Sequence, residues 1–196
     1  MRILLIGATG TIGKAILEAL PPQHEVLAAS QTKSPLQVDL SEPESIRSLL
    51  AALPSLDAII SAAGAARFKP LLSLTDEDFA FSLNSKLMGQ VNLIRYGLSA
   101  LKNGGSITVT TGLLAQHPMV GSGAVSLVNA ALEGFVRSAA LEAPRGIRVN
   151  AVSPPWVRTA KENAAITASA GLPADAVAQA YVSILEGSES GQIISP

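Results

Sequence analysis

The sequence contains no cysteine, which excludes disulfide and thiolate chemistry and fits a reducing compartment. It has no basic stripe either. Lys and Arg total 14 against 15 Asp and Glu, a formal net charge of -1, and the cations are scattered, so a nucleic-acid or anionic-membrane partner has nothing to hold. No segment offers ~20 uninterrupted apolar residues, the length that crosses a bilayer. Met1-Arg2 and the apolar run after them look like the start of a leader, but Gly7, Gly10, Gly13 and Lys14 interrupt it before an apolar stretch of leader length is complete. No Gly/Ser-rich linker or charge block divides the 196 residues, 48% of them hydrophobic. One domain with a sizeable core is expected, in the cytoplasm and without a metal site.

What the chain does have lies at its start. Ile3 to Ile6 are four apolar residues bounded by glycine, which read as a buried strand, and Thr11 to Leu20 run free of proline into Pro21, which reads as a helix. Between them stand Gly7-Ala8-Thr9-Gly10-Thr11-Ile12-Gly13. At a strand-to-helix turn, Gly7 allows the tight turn, Gly10 lets a pyrophosphate approach the backbone, and Gly13 lets the helix pack closely on the strand. The amides and positive dipole end of that helix favour a diphosphate without any side-chain charge. A glycine triplet alone also joins strands to helices in proteins that bind nothing, so its position ahead of alternating strands and helices carries the reading.

A second strand is expected within His24 to Ser30, a third at Leu36 to Val38, a helix from Ser41-Glu42-Pro43-Glu44 to about Leu53, and a fourth strand from Asp57 to Ser61. Where an NAD enzyme places an acid after the second strand, this chain has Ser30, Gln31 and Lys33. Those groups can donate to a 2′-phosphate, which favours NADP over NAD. Asp39, followed by Leu40, either accepts from an adenine amino group or caps a turn. Ala62, Ala63 and Gly64 are small enough to let backbone pass close to a ribose. Asp76 to Leu101 reads as one helix, with Phe79, Leu83, Leu87, Val91, Ile94 and Leu98 as its packing stripe and Asn84 beside the seam. A fifth strand at Ser106 to Thr111, a helix over 125–143, a sixth strand at Ile147 to Val152, a short helical stretch around 161–170, a helix from Pro173 to about Leu185 and a last strand at 191–195 complete the chain.

These segments resemble the short-chain dehydrogenase/reductase family over nearly the whole chain. The matching residues are Gly7 to Gly13, Asp39, Ser61-Ala62-Ala63-Gly64 where the family commonly has Asn-Asn-Ala-Gly, and Asn84. Farther along, Gly146 to Pro154 with Thr159 five residues beyond, and Gly191-Gln192-Ile193, match as well. The Gly7, Gly10, Gly13 spacing looks like the family's extended or atypical branches. The resemblance implies an α/β fold of Rossmann type, a doubly wound parallel sheet of about seven strands with helices on both faces. It also implies an NADP(H) site to which Asn129, Pro154 and Thr159 contribute, and a water held by Asn84 in a proton relay. The helices over 79–98 and 125–139 resemble those that join family subunits, so a homodimer or homotetramer is expected.

The resemblance breaks at the catalytic residues. Asn129 to Phe135 aligns with the family's Lys-Ala-Ala-Leu-x-Gly-Phe, which puts Asn129 at the usual lysine and Val125 at the usual tyrosine, while the usual serine falls near Gly112. Valine has no proton to give, and asparagine brings no charge to lower a neighbour's pKa. Thr111 and His117 are the candidate substitutes. Tyr181 is expected to be held in packing, and Trp156 to roof either the site or the sheet end. The chain therefore reads as an oxidoreductase acting on a small carbonyl or alcohol. The alternatives are a catalytically silent NADP(H)-binding sensor or scaffold, and a scaffold with no cofactor.

Overall fold

The computed structural model describes residues 1–157 and 171–196. Thr159 and the helical stretch expected around 161–170 lie outside the described residues. Seven parallel strands form one sheet in the order β3-β2-β1-β4-β5-β6-β7. They are β1 (Arg2–Ile6), β2 (Glu25–Ser30), β3 (Leu36–Gln37), β4 (Leu56–Ser61), β5 (Leu101–Thr110), β6 (Arg148–Val152) and β7 (Ile193–Ile194). Helices α1 (Thr11–Ala19), α2 (Pro43–Ala52), α3 (Asp76–Ser82), α4 (Gly89–Ala100), α5 (Gly123–Glu142) and α6 (Ala174–Glu186) cross between them.

The strands are apolar on both faces because both faces are covered. Successive side chains of β1 go to opposite sides. Leu4 and Ile6 join Ile46, Ile94, Leu132 and Val136 under α2, α4 and α5, whereas Ile3 and Leu5 join Ile16, Val177 and Tyr181 under α1 and α6. By length and composition α5 is apolar enough to cross a membrane. Its Val128, Leu132 and Val136 are instead packed into the core.

Two expectations change. The fifth strand begins at Leu101 rather than Ser106, because the register slips between Leu56 and Ala58 and the left-handed Gly104 absorbs the extra residues. More consequentially, Asp76 to Leu101 is not one uninterrupted α-helix. A Thr75–Asp78 capping box starts α3, then Leu83–Met88 widens to a π-helix before α4 resumes. A π-turn takes an extra residue and rotates the side chains past it, and such turns gather at functional sites.

At the opposite end of the strands, Asp57 ties three of them together. Its Oδ2 accepts from the Arg2 amide at 2.6 Å and its Oδ1 from Lys102 Nζ at 2.8 Å. The Lys102 hydrogen bond, then the Arg2 amide, hold its carboxyl below the usual range. A carboxyl lowered in the folded state contributes stability above its unfolded pKa, and that contribution disappears as pH falls through the lowered value. The wild-type urea midpoint is therefore expected to fall below about pH 4 more steeply than that of Asp57→Asn, which has already lost the effect. Parallel curves would show that Asp57 carries no such linkage.

Candidate active site

The strand order reverses between β1 and β4, and there, at the carboxyl ends of the strands, two cavities of about 370 and 460 Å³ open side by side. Gly64 lines both, so the two adjoin there. A larger hollow of about 580 Å³ lies between α2 and α4 near the other end of the sheet, beside Ser55 and Ala100. Its arginines are occupied, Arg47 with Glu44 and the Tyr96 ring and Arg95 with Asn92.

The β1–α1 turn floors the first cavity. Gly7 is left-handed at φ +84°, and a Cβ there would stand 2.6 Å from the Ala62 carbonyl oxygen. Gly10 caps α1 without a side-chain acceptor, and the first turn of α1 carries no acidic residue. Among the described residues the amides of Thr11, Ile12 and Gly13 have no acceptor. A helix start with bare amides and no counter-charge is suited to an anion. Thr9 and Gly10 line the first cavity and Ile12 the second.

At the far end of the first cavity stand Ser30, Gln31, Val38, Asp39 and Leu40. Ser30 is buried and its Oγ accepts from the Lys33 amide at 2.9 Å, so the hydroxyl shapes the loop. Asp39, which lines the cavity, also caps its turn. Its Oδ1 accepts from the Ser41 amide (2.9 Å) and hydroxyl (2.6 Å), and its Oδ2 from Gln31 Nε2 at 2.9 Å. The Ser41 hydroxyl foremost holds its carboxyl below the usual range. Lys33 is exposed and does not line the cavity. Ala62, Ala63 and the left-handed Gly64 form the wall on the β4 side.

The second cavity gathers Thr110, Thr111, Gly112, His117, Val125, Asn129, Pro154, Trp156 and Lys86. Thr110 is locked in place: Gln90 on α4 both donates to its carbonyl (2.8 Å) and accepts from its amide (2.9 Å). Its Oγ1 bonds the Ser61 carbonyl oxygen (2.6 Å) and meets the hydroxyl of the fully buried Tyr181. Burial pushes that phenol up, out of reach of acid–base work, and Tyr181 serves packing as expected. The Thr111 hydroxyl lies 3.3 Å from Glu133 Oε1 and 3.4 Å from the Val152 carbonyl oxygen, which turns it away from the cavity. Glu133 is itself buried and also accepts from Ser153 and Gln116. His117 is exposed at the cavity edge, and Trp156 lines it while remaining largely exposed. Val125 and Asn129, one helical turn apart on α5, both face in.

Asn129 is buried and its Oδ1 has no partner. Its Nδ2 sits 2.8 Å from where a Cβ on Gly112 would stand, so glycine at that position gives the amide its room. An orphaned acceptor in the second cavity and bare helix amides beside the pair fit a ribose hydroxyl and a diphosphate. The residues therefore match a nicotinamide dinucleotide.

Asn84 requires a correction: it is exposed and lines neither cavity. The π-turn carries it outward and brings Lys86 in. Sequence reasoning missed Lys86 and Glu133. The available signal was a lysine between Leu83 and Leu93 with no carboxylate three or four residues to either side.

A doubly wound sheet, a bare glycine turn and adjoining cavities at the switch point define the class of α/β nucleotide-fold proteins. A model described as enoyl-(acyl carrier protein) reductase matches residues 13–186. The chain belongs to the short-chain dehydrogenase/reductase family. A Listeria innocua protein of known structure is 37% identical with a TM-score of 0.93, covering 100% of this chain and 98% of that one. A small-chain dehydrogenase solved in complex with NADPH is 24% identical, TM-score 0.88, covering 100% and 96%. A hydroxynaphthalene reductase of Aspergillus fumigatus is 32% identical over 129 residues, 63% of this chain and 47% of that protein. The chain thus matches about half the length of that reductase. Carbonyl reductase family member 4 of Danio rerio is 29% identical over 209 residues, 98% of this chain and 84% of its own length.

Proposed function

We propose that this chain is an NADP(H)-dependent oxidoreductase acting on a small carbonyl or alcohol, with a proton-donor set that departs from its family's. The carrying observation is the pair of adjoining cavities, with the bare amides of α1 beside them and the unpartnered Asn129 Oδ1 in the second. When bound, the dinucleotide supplies hydride to a carbonyl carbon. The protein's part is positional. The α1 amides hold the diphosphate, Asn129 accepts from a ribose hydroxyl, and Pro154, Pro155 and Trp156 exclude water from one side of the second cavity. The relatives support the reading: two are reductases and one structural neighbour was solved with NADPH.

A second reading, a silent NADP(H)-binding sensor or scaffold, is favoured by the apolar Val125 and by the inward turn of the Thr111 hydroxyl. Titration of intrinsic NADPH fluorescence followed by a carbonyl screen separates the two. Saturable binding with turnover supports the first, saturable binding without turnover the second, and no saturation rejects both. The preference for NADPH rests on the exposed Lys33, since the Gln31 amide donates to Asp39. Lys33→Glu is expected to weaken NADPH roughly 3- to 10-fold, the scale of an exposed charge contact, and to leave NADH unchanged. Equal weakening of both would remove Lys33 from phosphate recognition. A cytoplasmic homodimer or homotetramer belongs to the same proposal. The buried stripes of α4 and α5 serve the sheet, which leaves Met88, Leu127 and Leu141 facing outward for such contacts.

A further inference from the structure

Among the described residues, two titratable side chains line the second cavity, His117 and Lys86. They differ in every relevant respect. His117 is exposed on the loop after β5, whereas Lys86 projects from the π-turn with its stem laid on Gly64. Its Cδ is 3.1 Å and its Cα 3.2 Å from the point a Gly64 Cβ would occupy, and Gly64 is left-handed at φ +106°, so the contact requires glycine there. Lys69 and Lys102 are paired with Asp78 and Asp57. Among the described residues, Nζ of Lys86 meets neither a carboxylate nor a hydrogen-bond acceptor. The other ionisable groups around the cavity are committed. Glu133 of α5 is bound to Thr111, Ser153 and Gln116, with Arg137 at 3.7 Å on its outer side. Tyr181 of α6 is bound behind Thr110.

We propose that Lys86 Nζ is the proton donor to the substrate oxygen, and its acceptor in the reverse direction. This rests on the oxidoreductase reading above. In the forward step the carbonyl carbon takes hydride from the dihydropyridine C4 of a reduced nicotinamide dinucleotide. The C=O π pair moves to oxygen, and that oxygen takes a proton from the ammonium. A C–H and an O–H bond form, while the dihydropyridine C–H and a lysine N–H break. The carbonyl is reduced, the dinucleotide oxidised, and Lys86 is left as a neutral amine that water at the open mouth reprotonates. Burial pushes its ammonium down to about 8, where the proton is available near neutral pH. A lysine that holds its proton past pH 10 would be a poor donor, and an asparagine or valine none.

The test has two readouts. In competitive acetylation of the protein without cofactor, read by mass spectrometry against a free lysine peptide (~10.4) in the same reaction, Lys86 is expected to label with a midpoint near 8. An ordinary midpoint at Lys86 overturns the proposal. In NADPH-dependent carbonyl reduction, Lys86→Met is expected to lose ~10²- to 10⁴-fold in kcat with NADPH affinity kept. Lys86→Arg, which keeps the charge but not a transferable proton, is expected to fail equally. Rescue by arginine, a retained rate in Lys86→Met, or a pH break that disappears in His117→Ala overturns the donor role. Wild-type binding without turnover of any carbonyl also overturns it and leaves the dinucleotide site standing. Failure of the wild type to bind NADPH removes both.

Discussion

Gly13→Val is expected to abolish saturable NADPH binding while leaving the far half of the sheet folded. A Cβ at position 13 would stand 2.0 Å from the Gly7 carbonyl oxygen, 2.7 Å from its carbon and 2.9 Å from the Ala8 Cα. All three are backbone atoms, so no rotamer change relieves the contact, and α1 must lift from the turn. Overpacking of this kind costs about 1–3 kcal/mol in stability. The larger loss is in binding. The amides of Thr11, Ile12 and Gly13 would no longer point where a diphosphate sits, and two such charge-assisted hydrogen bonds are worth about 3–6 kcal/mol, or roughly 10²- to 10⁴-fold in affinity. NADPH fluorescence titration, with circular dichroism as the check on folding, measures both. Retained affinity in a folded variant would show that this turn does not hold the diphosphate.

Ile59→Ala is the corresponding experiment on stability. Ile59 is fully buried in the middle of β4, paired with Leu4 of β1 and Ile107 of β5. Its Cδ1 reaches within 2.8 Å of where a Gly97 Cβ would stand, so the side chain fills the gap that glycine leaves between α4 and the sheet. Removing it takes away buried methyl groups at a site with little freedom to collapse. The expected cost is about 2–5 kcal/mol, seen as a melting temperature lowered by roughly 4–20 °C with an unchanged urea m-value. Because the vacated volume faces Gly97, the Ile59→Ala, Gly97→Ala pair should be less destabilised than the sum of the single variants. Additive costs would mean that the two positions do not share that space.

How these elements present themselves in the sequence differs by the range of the interaction. The strand-turn-helix start is a local pattern of apolar residues and glycines, and β1 and α1 lie within one or two residues of where periodicity puts them. The residues expected at the nucleotide end, from Thr9 and Gly10 through Ser30, Gln31, Asp39 and Leu40 to Ala62, Ala63 and Gly64, do line one cavity. They follow strands whose carboxyl ends the parallel topology brings to one side. Asn129, Pro154, Thr111 and His117 line its neighbour for the same reason. Which hydrogen bonds they make was not legible. Ser30 bonds the Lys33 amide and Thr111 faces Glu133, choices made by a loop closure and by a helix packed against β6.

The sequence by itself determined the alternation of strands and helices and the glycine turn, because those depend on residues a few positions apart. The tertiary structure alone decided that Lys86, not Asn84, enters the cavity. A π-turn adds one residue to a helix without disturbing the apolar spacing on either side of it, and only the packing of that turn against Gly64 shows which side chain it turns inward.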